Sequence, residues 1–433
     1  MRKSIGFFLV VFIYFCGFAA VLSGDSFNFA TVGRNGTGVY SNDGGKTWAI
    51  SRIPDKGIYI NGIVSDYLGA FYAVASKGKL LVSRDGGASY TIRQLDTELQ
   101  LFGITHDGRG HFVIVAVGDT ILISDDYAQS WQMIETNFET NYKKVITDKQ
   151  GAWIAVGTGG IVALSKDNGM SWNKVHESPL KSHRNDIAFD GKNSFVAVGA
   201  SGYINISEDN GASWEDYQII DDKQKPYLES IVWNNNGRFI AAGWNGKVFT
   251  SSGDTKNWEK TELGAEKRFL KSSTNGGSKI IMVGFKGLIM VSTDSGKTWI
   301  QKQLKSATKH LHDVAYNHLP DLVPAAIGAN DKCQLTLTLV NRGTVGVPES
   351  VWEKPDEYVI EVLRENKIIF SITIATVDTA GLLKTAGGSV SITLPVTVLK
   401  DDKLIIKIDS MNKLRESSTS NNIKESELTC PAL

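Results

Sequence analysis

Through the first three quarters of the chain, short apolar runs recur, each closed by a glycine-bearing turn. Phe195-Val-Ala-Val-Gly199-Ala-Ser-Gly202-Tyr-Ile-Asn-Ile-Ser207 shows the phrase best, and its equivalents begin near Phe29, Phe71, Phe112, Trp153, Phe239 and Ile280. Runs of this length, rich in Val, Ile and aromatics and separated by Gly turns, predict antiparallel strands joined by hairpins. Upstream of every phrase but the first lies a further run, ending at Asp66, Asp107, Asp148, Asp190, Asn234 or Asn275. Downstream, the phrase enters the pattern S-x-D-x-G-x-[ST]-W, first seen as Ser41-Asn-Asp43-Gly-Gly45-Lys-Thr47-Trp48. Further copies occupy 83–90, 124–131, 165–172, 207–214 and 292–299, and a worn copy at 251–258 has Gly253 where Asp is expected. Their closing aromatics fall at 48, 90, 131, 172, 214, 258 and 299, a nearly constant period.

One period therefore holds four strands, and a four-stranded unit of about 40 residues is a propeller blade. The chain reads as all-β, a seven-bladed β-propeller over 25–318 followed by an immunoglobulin-like β-sandwich over 319–433. The first blade lacks its first strand, while an extra run at 312–317 (His-Asp-Val-Ala-Tyr-Asn) follows the seventh. That late strand is expected to complete the first blade, closing the ring and removing a free sheet edge.

The recurring box explains itself without a ligand. Its aspartates (Asp43, Asp85, Asp126, Asp167, Asp209 and Asp294) can accept backbone N–H bonds, Gly permits positive φ, and the hydroxyls bond locally. Trp48, Trp131, Trp172, Trp214 and Trp299 supply apolar faces for packing. A calcium loop would need several oxygen ligands at alternate positions, whereas one carboxylate recurs here, so no metal is expected. These repeats resemble the Asp-box, or BNR, repeats of sialidases, sortilin-type receptors, some glycanases and the photosystem II stability/assembly factor family. The resemblance covers the propeller, and it implies a structural hairpin remote from any active site. One box per regular blade is most similar to the assembly-factor group, whose members are non-catalytic binding proteins.

Beyond Pro320 the period stops. Gln334-Leu-Thr-Leu-Thr-Leu-Val-Asn341 alternates cleanly, and further strands are expected at 358–363, 368–373, 389–394 and 404–408. Asp321-Leu-Val, Leu339-Val-Asn-Arg-Gly343, Gly387-Gly-Ser-Val and the stretch from Glu416 to Asn421-Asn422 resemble the CARDB family, an adhesion-related sandwich module. Cys333 and Cys430 are the two cysteines outside the N-terminal segment, and they are read either as a disulfide in an oxidising compartment or as two free thiols.

Residues 1–24 begin with Arg2 and Lys3, and 5–22 carry no charge. They read as a cleavable secretory signal, with an uncleaved membrane anchor as the alternative. Export to the periplasm, cell surface or medium is expected either way. Over the whole chain, 46 Lys and Arg balance 46 Asp and Glu. Such balance argues against nucleic-acid partners, which require clustered positive charge.

Strand order places the Ala-Val-Gly hairpins and the connections between blades on one face, here called the top. Residues opening the first strands are expected at the channel mouth there: Asn61, Lys143, Lys144, Asn185, Asp186, Glu229, Lys271, His312 and Asp313, with Arg184 beside them. The top hairpins add Arg34, Asn35, Lys77, Trp244 and Phe285. Mixed charge with aromatic anchors suits a protein or glycan partner. The reading is thus a non-catalytic binding scaffold without cofactor, its tail serving adhesion or surface association. The alternative is a glycoside hydrolase, either sialidase-like or using carboxylates such as Asp186 with Glu229 or Asp313. Ser51-Arg52-Ile53-Pro54 matches the sialidase arginine motif, but it follows the first box, whereas in that family the motif precedes it.

Overall fold

A continuous apolar run in a strand must be covered on both faces, and an alternating or polar strand can meet solvent. The repeat contains both kinds, and the sheets sort them radially. The computed structural model describes residues 29–430 apart from 67–68, 221–224, 235, 252–253, 276, 303, 305–308, 318, 342–345, 349, 385–386, 411–413, 415 and 417–421. The expected signal or anchor, 1–24, lies outside the described residues, as do parts of the worn box and of the tail motifs.

Among the described residues, seven four-stranded antiparallel sheets lie between Phe29 and Tyr316. The second strands, such as Phe71–Ala75, Trp153–Gly157 and Phe195–Gly199, are buried at every position. Outermost strands such as Gln132–Glu135 are largely exposed. The innermost strands are Leu311–Tyr316, Ile60–Ser65, Leu101–His106, Tyr142–Thr147, Arg184–Phe189, Leu228–Trp233 and Phe269–Thr274. Each lies beside the next, and the last of them returns to the first, so the sheets form a closed ring. The ring closes where Leu311–Tyr316 pairs antiparallel with Phe29–Gly33, joining the late strand to the sheet of Gly38–Ser41 and Ala49–Ile50. The architecture is an all-β propeller.

All seven innermost strands carry a β-bulge at their second residue: the register skips Asn61, Phe102, Lys143, Asn185, Glu229, Leu270 and His312. The bulge brings the chain entering each sheet against the end of the second strand. At Gly243 an added Cβ would stand 1.9 Å from the Tyr227 carbonyl oxygen, and at Gly199 it would stand 1.8 Å from that of His183. Close backbone approach therefore favours glycine at this position, which five of the seven sheets hold; Ala75 and Ala116 stand there in the other two.

The boxes rivet neighbouring sheets. In the fifth-sheet box, Ser207 Oγ donates to Asp209 Oδ1 (2.8 Å) and accepts the Gly211 N–H (2.9 Å). Asp209 accepts the Ser213 N–H (2.9 Å) and hydroxyl (2.6 Å), and Trp214 Nε1 donates to the Gly211 carbonyl (3.0 Å). The Ser–Asp and Asp–hydroxyl bonds recur around Asp43, Asp85, Asp126, Asp167 and Asp294. Locked in this way, the turn presses outward on the preceding sheet: Trp214 packs against Ile154, Val156 and Leu164. Gly211 (φ 83°) leaves no room for a side chain, since a Cβ would meet Ile154 Cδ1 at 2.5 Å.

The tail folds as two sheets over one core. Leu322–Ala329, Gln334–Asn341 and Ser389–Thr397 form the first sheet; Lys367–Thr373, Val359–Arg364, Asp402–Lys407 and Ile423–Leu428 form the second. Leu337, Ile360, Val362, Leu394 and Ile406 meet between them. Two of these strands are unmarked in the sequence. Pro324 interrupts Leu322–Ala329, as a strand at a sheet edge allows, and Ile423–Leu428 is a polar edge strand. Cys333 and Cys430 are joined as a disulfide with Cα atoms 5.0 Å apart, tying the last strand to the hairpin before Gln334.

Substituting Gly211 with Ala should cost the strain of positive φ, about 1 kcal/mol, plus about 1–3 kcal/mol for crowding Ile154. Gly191 (φ 79°) faces open space, so Gly191→Ala should show the first cost alone. Urea midpoints of the two variants test the difference, and equal losses would refute the rivet.

Acid should unfold the ring in two stages. Buried His106 is pushed down from 6.5 to about 4 by burial, against the pull of its bond to the Ser65 carbonyl. Its neutral form supports the fold fully above pH 6.5, and that support fades as the pH falls toward 4. Burial raises the box carboxylates Asp43, Asp85, Asp167 and Asp209, but bonds from neighbouring hydroxyls and N–H groups outweigh it and hold them below 3.8. At Asp126 and Asp294 the hydroxyls of Ser130 and Thr298 lead the downward shift. Their contribution is intact above pH 3.8 and is lost as the pH drops through the lowered values. Unfolding midpoints measured from pH 7 to 2 should fall in both windows, and His106→Gln should flatten the upper one.

Candidate binding faces of the ring

An innermost strand is a sheet edge facing the channel, so its polar backbone groups need partners. The bulge residues supply them to the next sheet. Asn61 Nδ2 donates to the Leu101 carbonyl (2.7 Å) and Asn185 Nδ2 to that of Leu228 (2.9 Å), while His312 Nδ1 meets that of Ile60 (3.0 Å). One residue on, Asp313 accepts the Ile63 N–H (3.1 Å) and Asp186 the Ile231 N–H (3.0 Å). This third position reads Gly62, Gly103, Lys144, Asp186, Ser230, Lys271 and Asp313 around the ring. With no side chain at the two glycines, Lys144 reaches across them to Asp313 (3.4 Å). Lys271 pairs with Asp186 (3.3 Å) and donates to the Asn185 and Glu229 carbonyls (2.6 and 2.9 Å).

Three expected channel-mouth residues are therefore corrected. Asp186 and Asp313 are 3% and 2% exposed and engaged by backbone and lysine. Arg184 is wholly buried because it takes the first strand position, filled elsewhere by Ile60, Leu101, Tyr142, Leu228, Phe269 and Leu311. Its guanidinium donates to Asn205 Oδ1 and the Ser182 carbonyl and lies 3.5 Å from Asp216. Asn61, Asn185, Lys271 and His312 are likewise spent on lacing. Lys143 lies over the Phe102 ring (4.2 Å).

Arg34, Asn35 and Lys77 are exposed at hairpin tips. The top face adds a grouping the sequence reading missed. The residue preceding each innermost strand offers its carbonyl to the first residue of the adjoining top hairpin: Tyr227 to Trp244 (3.1 Å), Arg268 to Phe285 (3.1 Å), His310 to Arg34 (2.9 Å) and Tyr59 to Ser76 (2.9 Å). Their side chains form an arc. Tyr227 stacks on Trp244 (4.3 Å between centroids), the Arg268 guanidinium lies over Trp244 (3.4 Å) and Phe285 (4.2 Å), and Phe285 stacks on His310 (4.0 Å). Arg34 continues it over Tyr59 (5.3 Å). Trp244 and Phe285 are thus half-buried in a stack and do not stand free. Glu229 accepts the Trp244 indole N–H (2.9 Å), and burial holds its carboxyl above the usual range. Burial and then the charges of Arg34, Arg268, Lys286 and Lys309 lower the pKa of His310, so the field is positive. Corresponding positions elsewhere hold Gln100 with Val117, Asn141 with Thr158 and His183 with Ala200, so the arc is confined to one side. The signal was present in the repeat, two residues upstream of Asn61, Glu229 and His312 and three upstream of Lys271.

The opposite end of the channel is a cavity of about 510 Å³, lined by the later residues of the innermost strands. No box residue lines it. Of the expected acids, Asp186 and Asp313 are both committed to neighbouring strands, and Glu229 accepts the Trp244 indole N–H. Arg52 is an exposed residue paired with Ser89, Arg184 is buried, and no arginine trio meets over an acid among the described residues.

No protein-family model and no curated protein matches the chain. Solved structures do resemble it. A catalytically inactive virginiamycin B lyase from Staphylococcus aureus with quinupristin superposes with TM-score 0.53 and 11% identity, over 67% of this chain and 94% of that one. A streptogramin B lyase gives 0.51 and 13%, over 64% and 89%. YCF48 bound to D1 peptide gives 0.48 and 18%, over 59% and 89%. At such identities the likeness is one of propeller fold alone.

Asp186→Ala should destabilise the ring by about 3 kcal/mol, because it strands Lys271 and the Ile231 N–H. Lys77→Ala, at an exposed tip, should change stability by less than about 0.5 kcal/mol. Urea unfolding followed by tryptophan fluorescence checks both, and a neutral Asp186→Ala would return that residue to the candidate ligand set.

Proposed function

We propose that the protein is an exported, non-catalytic scaffold that captures a protein partner on its top face. The observation that carries this is Arg268. Its guanidinium is held between Trp244 and Phe285, and it makes no hydrogen bond or ion pair with any described residue. An ordered Arg with unused donors, set among half-buried Trp, Tyr and Phe, is the composition of an interface hot spot. Its order is fixed before binding, so little side-chain freedom is lost on association. The surrounding positive field favours an acidic segment.

A protein segment is favoured over a glycan. A sugar ring stacks on an open aromatic face, whereas Trp244 has Tyr227 on one side and Arg268 on the other. The hydrolase alternative finds no support, since Asp186 and Asp313 serve the ring itself.

In this reading the repeats are Asp-boxes of a seven-bladed propeller over 25–318, and residues 1–24 direct export. The Cys333–Cys430 disulfide supports an oxidising compartment. The tail over 319–433 is a CARDB-like sandwich for adhesion or surface association, its two-sheet core supporting that reading.

The double variant Trp244→Ala/Arg268→Ala, at surface positions of a ring that should stay folded, is expected to weaken partner capture about 30-fold or more, the loss of one hot spot or greater. Tagged wild-type and variant proteins are compared by affinity capture from the exported fraction with mass-spectrometric identification. Equal recovery of every partner would overturn the site.

A further inference from the structure

The cavity at the other end of the channel has no part in the top-face reading. Side chains alternate along a strand, so the fifth residues of the innermost strands share the channel face with the third. They read Val64, Thr105, Ile146, Ala188, Val232, Ser273 and Ala315, a mostly apolar collar. Beyond the collar the charged third-position layer closes the channel toward the top, and Lys144 and Asp186 line the cavity there. The result is a cup of about 510 Å³, within the range of small-molecule sites, with a mostly apolar collar, polar residues such as His106, Thr147, Asp148 and Lys149 elsewhere in its lining, and a charged floor.

The floor is chemically uneven. Lys271 is saturated by two carbonyls and Asp186, and both Asp186 and Asp313 accept a backbone N–H. Among the described residues Lys144 has Asp313 as its one hydrogen-bond partner, at 3.4 Å, and a fifth of its side chain remains accessible. An ammonium carries three donors, so two of them are unused at the base of the cup. Burial lowers its proton affinity, but Asp313 and then Asp186 more than reverse this, so Lys144 holds its charge. We infer that the cup is a binding site for a small amphipathic carboxylate, its apolar body against Val64, Ile146, Val232 and Ala315 and its carboxylate on Lys144 Nζ.

Dansylaminoundecanoic acid and its methyl ester are the probes, titrated into the intact protein with fluorescence readout. The acid should bind saturably, one per chain, about tenfold or more tighter than the ester, the worth of a charge-assisted hydrogen bond. Lys144→Arg should keep that preference, and Lys144→Met should bring acid and ester together. Ser273→Trp, which fills the collar from a half-buried position, should abolish binding of both probes while the circular dichroism melt remains cooperative. Because Lys144→Met leaves Asp313 unpaired, the acid–ester comparison on wild type and the Ser273→Trp protein decide the matter if that variant fails to fold. Absence of saturable binding, equal affinity for acid and ester, or undiminished binding by folded Ser273→Trp each overturns the inference. The Trp244→Ala/Arg268→Ala protein should bind the probe as wild type does. Loss of binding there would overturn the placement of the site and leave the top-face reading to its own test.

Discussion

Seven strand edges converge on one axis, and each brings backbone donors and acceptors that no sheet neighbour can satisfy. The bulge in every innermost strand answers this constraint, and the remaining features follow from it. By turning one residue out of register, it lets a side chain reach the next strand's backbone: Asn61 to Leu101, Asn185 to Leu228, Asp313 to Ile63 and Asp186 to Ile231. An unsatisfied buried amide costs about 1–3 kcal/mol, so a ring leaving several bare would forfeit much of a domain's net stability. At Gly33, Gly157, Gly199, Gly243 and Gly284 the entering chain's carbonyl occupies the space of a Cβ, while Ala75 and Ala116 take that place in the other two sheets.

Charge at the centre is therefore mainly a structural device. Two lysines and two aspartates in one layer cancel, and their partners lie across glycines or a serine. The layer separates the two ends of the channel, and the ends differ accordingly. Above it stands a cationic stack rooted in backbone pairs between blade entries and hairpins. Below it lies a cup with a mostly apolar collar and the Lys144 ammonium on its floor. A reading that treats every charged channel residue as a ligand contact misses this division of labour.

The fold was legible because the repeat writes its physics into residue types. The fully buried second strand is continuous apolar sequence, the rivet is Ser, Asp, Gly and Trp at fixed spacing, and the outermost strand is polar. Burial at the centre was less legible. Arg184 occupies a core position by finding Asn205, the Ser182 carbonyl and Asp216, contacts between residues up to 32 apart that no local pattern displays. Asp186 and Asp313 look like an acid pair in the sequence because their backbone partners belong to other sheets. The top arc was only half found: Trp244, Phe285 and Arg34 stand out as aromatic or charged hairpin residues. Tyr227, Arg268, Tyr59 and His310 sit in connections whose register becomes visible only once the bulge is known. In the tail, Leu322–Ala329 and Ile423–Leu428 escaped because edge strands tolerate proline and polar residues that a central strand would reject.

The geometry of the arc bears on why a binder fits better than a hydrolase. Catalysis needs acids free to exchange protons and a site that strengthens its contacts as charge develops. Here Asp186 and Asp313 hold lysines and amides that the ring cannot release without opening its edges, and Glu229 is tied to the Trp244 indole. Recognition asks for the opposite economy: rigid, half-buried side chains whose donors stay idle until a partner arrives. Arg268, fixed by stacking on two aromatic rings and left without a hydrogen-bond acceptor, meets that demand. Its backbone carbonyl lies close against Gly284, as that of Tyr227 does against Gly243, so the entry geometry beside the bulges also shapes the face proposed to meet a partner.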